Sequence, residues 1–246
     1  MYFVASGMFA ATSCANVLKN ELSSTTNNNN NDDEWEVVVL ESGKQYMTKV
    51  KISGGGRCNV MHDVTKPIPT ILSDGYPRGN RELRGIYTKH FTPQHIYEWF
   101  TSRGVTLKTE ADGRMFPTTD SSQTIIDTIT NDAQKNHVTF SSHQKVTSIH
   151  HNDDNDDDTK KQFQVTIHSN DDNNIVESFD SIILATGSSK VGYELASSLG
   201  HTVIQPVPSL FTFNAKSQVQ DSNGVFHGLA GLSIPNVHIS LSFKGM

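Results

Sequence analysis

The stretch EWEVVVLESG restricts the architectures open to this chain more than any other. Val37–Leu40 is a short, unbroken, mostly β-branched apolar run, closed at once by Glu41. A run of that length without polar alternation suits a strand buried on both faces of a parallel sheet. Ahead of it, MFAATSCANVLKNEL is small, apolar and free of proline, and predicts a packed helix. Helix, buried strand and acid form the second half of a βαβ unit, so the expected class is α/β with a Rossmann-like domain. In such folds an acid at the carboxyl end of a strand accepts hydrogen bonds from ribose hydroxyls of an adenine dinucleotide. Glu41 is the candidate for that role, with an ordinary surface glutamate as the rival reading.

A second feature follows directly. KVKISGGGRCNV places three glycines in a row before an arginine, a cysteine and an asparagine. Adjacent residues without a Cβ build neither helix nor strand well. Backbone N–H groups of Gly54, Gly55 and Gly56 can instead curl around an anion, and no side chain bars a flat ring from close approach. Arg57 would add charge there and Asn59 a fixed donor–acceptor pair. Cys58 is either a redox or adduct-forming neighbour of a bound ring or a packing residue. Farther on, ILATG (Ile183–Gly187) reads as a strand entering a tight glycine turn, with Ser181–Ala185 expected as a second buried strand.

Local signals place the remaining elements. TPQHIYEWFTSRGV carries Thr92 as a helix cap, Pro93 in the first turn and Gly104 as a stop. VTLKTEADGRMFPTTD predicts a strand and a turn at Asp112-Gly113, and SSQTIIDTITNDAQKN an amphipathic helix with Ile125, Ile126 and Ile129 on one side. HVTFSSHQKVTSIHH, QFQVTIHS and IVESFD read as strands, GYELASSLGH as a helix, and the proline- and glycine-rich 61–85 stretch as irregular. Polar runs near 22–34 and 150–161, with SNDDNN beyond, cannot bury apolar area and read as solvated insertions. They carry most of the net charge of -6, so the acidity says little about partners. The absence of a basic stripe argues against nucleic acid, and no apolar run is long enough to span a membrane. Cys14 and Cys58 fit no disulfide or metal spacing, which points to a reducing intracellular compartment. The scattered histidines form no metal-binding pattern, and there is no nucleophile elbow.

Taken in order, KVKISGGGRCNV, FTPQHIYEWFTSRGVTLKTEADGRMFP, SIILATGSS and GYELASSLGHTVIQPVPSLFTF resemble the BaiN/YhiN-like FAD-dependent oxidoreductases, flavoproteins of the glutathione-reductase-like group. The resemblance implies bound FAD, a small-molecule substrate, and hydride transfer through flavin with NAD(P)H as candidate donor. It implies that Gly7 ends the pyrophosphate turn and that Glu41 takes the ribose. Lys49 and Gly54, Gly55, Gly56, Arg57, Cys58 and Asn59 would run along the pyrophosphate and flavin. Val146 would meet the adenine, and Ala185, Thr186 and Gly187 would form a later cofactor-contacting turn. Arg114, in the GR-x-FP element, is either an anion or loop anchor or half of a structural ion pair.

The resemblance also implies an FAD-binding domain over 1–205 and the beginning of an inserted β-rich domain over 206–246. Relative to that pattern the chain lacks the first strand and two turn glycines, which hold Tyr2 and Val4 here, and it stops inside the inserted domain. The expectation is therefore a piece of the family's fold that holds FAD weakly or not at all. No catalytic acid or base stands out. The alternatives are a degenerate relative serving as an interaction module and an NAD(P)-binding protein without flavin.

Overall fold

The structure is a computed structural model that describes residues 6–25, 35–76, 79–152, 162–169, 173–207, 220–229 and 238. The chain divides into two compact units, Met1–Val203 and Ile204–Met246. In the second unit the described residues include turns over 221–228, closed by bonds such as Gly224 N–H to Asp221 O. The expected inserted β-rich domain lies largely outside the described residues, as do Tyr2 and Val4.

The first unit begins with α1 (Ser6–Thr25) and β1 (Val37–Leu40), as anticipated. Next come α2 (Thr48–Ile52), a tight turn over Ser53–Gly56 and β2 (Met61–His62). Helices α3 (Ile68–Gly75) and α4 (Asn80–Gly85), a π-helical turn over Ile86–His90 and α5 (Pro93–Thr101) lead to the hairpin β3 (Leu107–Thr109) and β4 (Arg114–Pro117). Then follow α6 (Ser122–Lys135), β5 (Val138–Ser141), β6 (Gln144–His151), β7 (Phe163–Ser169), β8 (Asn174–Phe179) and α7 (Lys190–Ser198).

Three sheets form among the described residues. β1 and β5 pair in parallel, Val37 opposite Val138 through Leu40 opposite Ser141. β2, β4 and β3 form an antiparallel sheet in that order. β6, β7 and β8 form an antiparallel meander, with a bulge between Val146 and Ser148. This mixed α/β arrangement with a parallel pair is the expected Rossmann-like class.

Small residues let α1 and α6 approach closely: Ala11, Ala15 and Ala133 form one buried cluster with Val138 of β5, and Val37 and Val39 pack against it. A larger core joins Met8 of α1, Val50 of α2, Cys58, Met61 of β2, Phe100 of α5, Met115 of β4, and Ile125 and Ile129 of α6. A third cluster unites Ile149, Val165 and Ile167 of the meander with Leu195 of α7. The capping signal before α5 is realised on both sides: Thr92 Oγ1 accepts from His95 N–H at 3.3 Å, and His95 Nδ1 accepts from Thr92 N–H at 3.1 Å.

Three expectations need correction. The 61–85 stretch contains β2, α3 and α4 rather than irregular chain. Pro67 and Pro69 open α3, where a missing N–H costs nothing, and Gly79 takes the left-handed conformation that starts α4. Val37–Leu40 is half-buried instead of buried on both faces, because β5 is its one ladder partner among the described residues. Ser181–Ala185 is not a strand: it pairs with no neighbour among the described residues, and Ile183 is 64% exposed. An apolar run becomes a strand only where a second backbone meets its N–H and C=O groups.

Candidate functional site

The glycine loop is fixed at both ends. On entry, Ser122 Oγ at the start of α6 donates to Lys51 O at 2.8 Å, and Ser53 Oγ donates to Val50 O at 2.9 Å. On exit, Val60 N–H donates to Met115 O at 2.9 Å, and Asn59 Oδ1 accepts from Met115 N–H at 3.2 Å. Between these ties Gly54, Gly55 and Gly56 take φ of 57°, 71° and 84°, the left-handed region that only glycine enters at little cost. A Cβ on Gly54 would stand 3.1 Å from Phe116 Cε1 and 3.2 Å from Asn59 N, so packing also requires this glycine. A Cβ on Gly55 would meet nothing within 4 Å. The apex of the loop is bare backbone facing open space.

The anion nest expected of this loop is narrower than the sequence suggests. Arg57 and Cys58 N–H both donate to Ser53 O, so these two amides close the loop on itself. Arg57 does not point its charge at the apex. Its Nη1 lies 2.5 Å from Glu110 Oε1 and 3.7 Å from Asp120 Oδ1, and its guanidinium carbon stacks 4.1 Å from the Phe116 ring centroid. The Glu110 hydrogen bond pushes the guanidinium pKa still further up. Cys58 settles on the packing reading: it is 8% exposed within the main core, and burial pushes its thiol pKa up, which disfavours the reactive thiolate. Arg114 resolves likewise to an ion pair, 2.7 Å from Asp112 and 3.7 Å from Glu110.

A second segment meets the first through glycine contacts. A Cβ on Gly7, in the first turn of α1, would stand 3.0 Å from the Ala185 Cβ. A Cβ on Gly192 of α7 would overlap the Thr186 side chain, and one on Gly187, where φ is 63°, would lie 3.4 Å from Lys49 Nζ. The turn Ala185–Gly187, exposed to solvent, therefore meets α1 through Ala185 and α7 through Thr186, with the ammonium of Lys49, on α2, at its tip. Since α2 runs straight into Ser53–Gly56, the two glycine-rich segments are linked through Lys49.

Val146, Leu40 and Ile182 pack on the third cluster, which brings the ends of β1 and of the 181–185 run beside the β6 bulge. Glu41 follows Leu40 directly. Its Oε1 accepts from Gly43 N–H at 2.7 Å, so the carboxylate caps its own turn. Gly7, Lys49, Ala185, Thr186 and Gly187 are thus brought together, Val146 and Glu41 adjoin the third cluster, and Arg57 turns toward the β3–β4 hairpin.

Sequence reading missed Phe116, Glu110, Asp120 and Gly192 as residues that shape the site. GR-x-FP was visible as a motif, with candidate roles for Arg114 alone. Gly192, the glycine that opens a predicted helix, was the available hint that something packs close there. Among the described residues no group of three or more histidines, cysteines and acids is placed to hold a metal, and no helix is long and apolar enough to cross a membrane.

The chain is 24% identical over 209 residues to the ribosomal RNA dihydrouridine synthase of Escherichia coli (strain K12), a match covering 82% of this chain and 47% of that protein. The chain spans about half the length of this curated relative. The model of the HI0933-like protein Rossmann domain matches residues 5–238, nearly the whole chain, on the same α/β arrangement that carries the two glycine segments. By that match, the chain belongs to the HI0933-like Rossmann domain family.

Proposed function

We propose that this chain forms the FAD-binding part of a flavin-dependent oxidoreductase. The observation that carries the reading is the convergence of Gly7, Ala185–Gly187 and Lys49 ahead of a left-handed glycine loop with an open apex. The residues fit the group. Gly7 lies in the first turn of a 20-residue helix, where N–H groups and the helix dipole favour a phosphate. Lys49 supplies a charge beside the Gly187 turn, and the bare backbone at Gly55 leaves room for a flat ring. Glu41 would receive the ribose hydroxyls at the end of β1 by exchanging its bond to Gly43, and Val146 would meet the adenine. When bound, FAD would supply the two-electron chemistry, with NAD(P)H as donor, and the chain would supply position and electrostatics. The resemblance to BaiN/YhiN-like oxidoreductases supports the same reading.

The test is a titration of the purified chain with FAD, followed by absorbance and flavin fluorescence. Saturable binding that weakens about tenfold in Lys49→Ala, the scale of a lost charge-assisted hydrogen bond, is the expected result. No flavin uptake by the wild type would overturn the reading.

The name of the bacterial relative favours a substrate class as well: uridine in ribosomal RNA, whose ring takes up a hydride and a proton on becoming dihydrouridine. This departs from two expectations: a small-molecule substrate, which the resemblance implied, and no nucleic-acid partner, which rested on the missing basic stripe. Incubation with FAD, NADPH and ribosomal RNA, then mass spectrometry of the nucleosides, would detect the gain of two hydrogens. An FAD-loaded, NADPH-oxidising protein that leaves every uridine unchanged would rule this substrate out.

A further inference from the structure

The GR-x-FP element borders the glycine loop, and its geometry points to a role there. β4 carries Phe116, a ring that is 0% exposed, borders the Gly54 backbone and is covered by the Arg57 guanidinium. Glu110 sits at the hairpin turn, where its N–H donates to Arg114 O at 2.8 Å and its carboxylate takes Arg57. Asp120, just past β4, receives both Arg57 and Lys108, the latter at 2.5 Å. A loop of left-handed glycines has little conformational preference of its own, so something outside it must select one shape. Here the selecting surface is the hairpin.

We infer that the β3–β4 hairpin is the template of the glycine loop, and that Arg57 is a positioning residue, latched to Glu110 and Asp120, which acts on the cofactor through the loop rather than by touching its phosphates. The inference rests on the proposed function only in taking the loop's open apex as the cofactor side. The latch itself is a property of the chain without ligand. An arginine holding phosphate directly would gain from removal of its carboxylate partner, whereas a latch loses from removal of either member. Arg and Glu are 53 residues apart in sequence, so their bond also fixes the hairpin against the loop.

Arg57→Gln, Glu110→Gln and the double variant decide the matter by two readouts. The first is hydrogen exchange at the amides of residues 54–59 in the ligand-free chain; the second is FAD affinity together with the visible spectrum of the bound flavin. A latch predicts faster exchange in both single variants and FAD affinity lower by about fivefold, the upper end for a partly exposed ion pair. It also predicts a shifted flavin band, and a double variant no worse than the worse single one. Arg57→Lys, which keeps charge but loses the flat fork over Phe116, should recover only part of the protection. Unchanged or tighter FAD binding in Glu110→Gln, with wild-type exchange at 54–59, would overturn the latch. A wild type that takes up no FAD would sink the proposed function, while faster or unchanged exchange in the variants would still establish or overturn the latch.

Discussion

Val37–Leu40 and Ser181–Ala185 are both short, mostly apolar runs, and each leads into a turn of the candidate site. The first is a strand with four registered partners in β5; the second is irregular and exposes Ile183. Their difference shows two ways of placing a turn. Glu41 inherits its position from a ladder: its N–H donates to Ser141 O, and its carbonyl accepts from Gln144 N–H, both at 2.9 Å. Ala185–Gly187 is instead held laterally, where Gly7 and Gly192 let α1 and α7 press directly on the turn. A ladder spreads the constraint over several hydrogen bonds. A glycine contact concentrates it in one missing Cβ.

That contrast can be broken most forcefully at Gly192. Gly192→Val places a branched side chain where Thr186 stands, and the stability lost should be about 1–3 kcal/mol, the usual scale of overpacking. Chemical denaturation measures it. A variant as stable as wild type would show that the turn shifts freely and is not held by α7.

A smaller effect separates the two runs themselves. Val39→Ala removes two methyl groups packed against two core clusters and should cost about 1–2 kcal/mol, whereas Ile183→Ala should stay within about 0.5 kcal/mol. Equal losses in urea unfolding would mean that the 181–185 run is buried after all.

Within the loop, position decides the penalty. Gly54→Ala meets both a positive φ and the Phe116 ring, while Gly55→Ala meets only the φ. The backbone term alone is about 1–2 kcal/mol, so Gly54→Ala should destabilise the protein by more than Gly55→Ala. The reverse order in thermal melts would contradict the templated loop.

The smallest expected effect is a pH slope. Burial, aided by the positive charge of Lys66, holds His62 below the ordinary histidine range. A depressed imidazole pKa means that the unfolded chain takes up a proton near pH 6.5 while the folded chain does not. Stability is therefore lost as pH falls below that value. Melting temperatures at pH 7.5 and 5.5 should differ less in His62→Gln than in wild type. An unchanged slope would show that His62 titrates normally in the fold.

How much was legible divides along the same line. The helices α1, α5, α6 and α7 and the strand β1 could be read because their signals are local: apolar period, a capping threonine, proline in the first turn, glycine past the end. The glycine loop and Glu41 were legible as candidates for the same reason. The direction of Arg57 was not, since its partners Glu110 and Asp120 lie on a distant hairpin and nothing near Arg57 announces them.

The sequence by itself determined which segments prefer helix, which glycines free the backbone, and that an acid closes the first strand. Those are properties of a residue and its neighbours along the chain. Tertiary structure decided that 181–185 pairs with no strand among the described residues, that Cys58 is packed in the core, and that Arg57 braces a hairpin. Each of these depends on which backbone or side chain arrives from far along the chain. A ladder, a buried thiol and an ion pair exist only once both partners are in place.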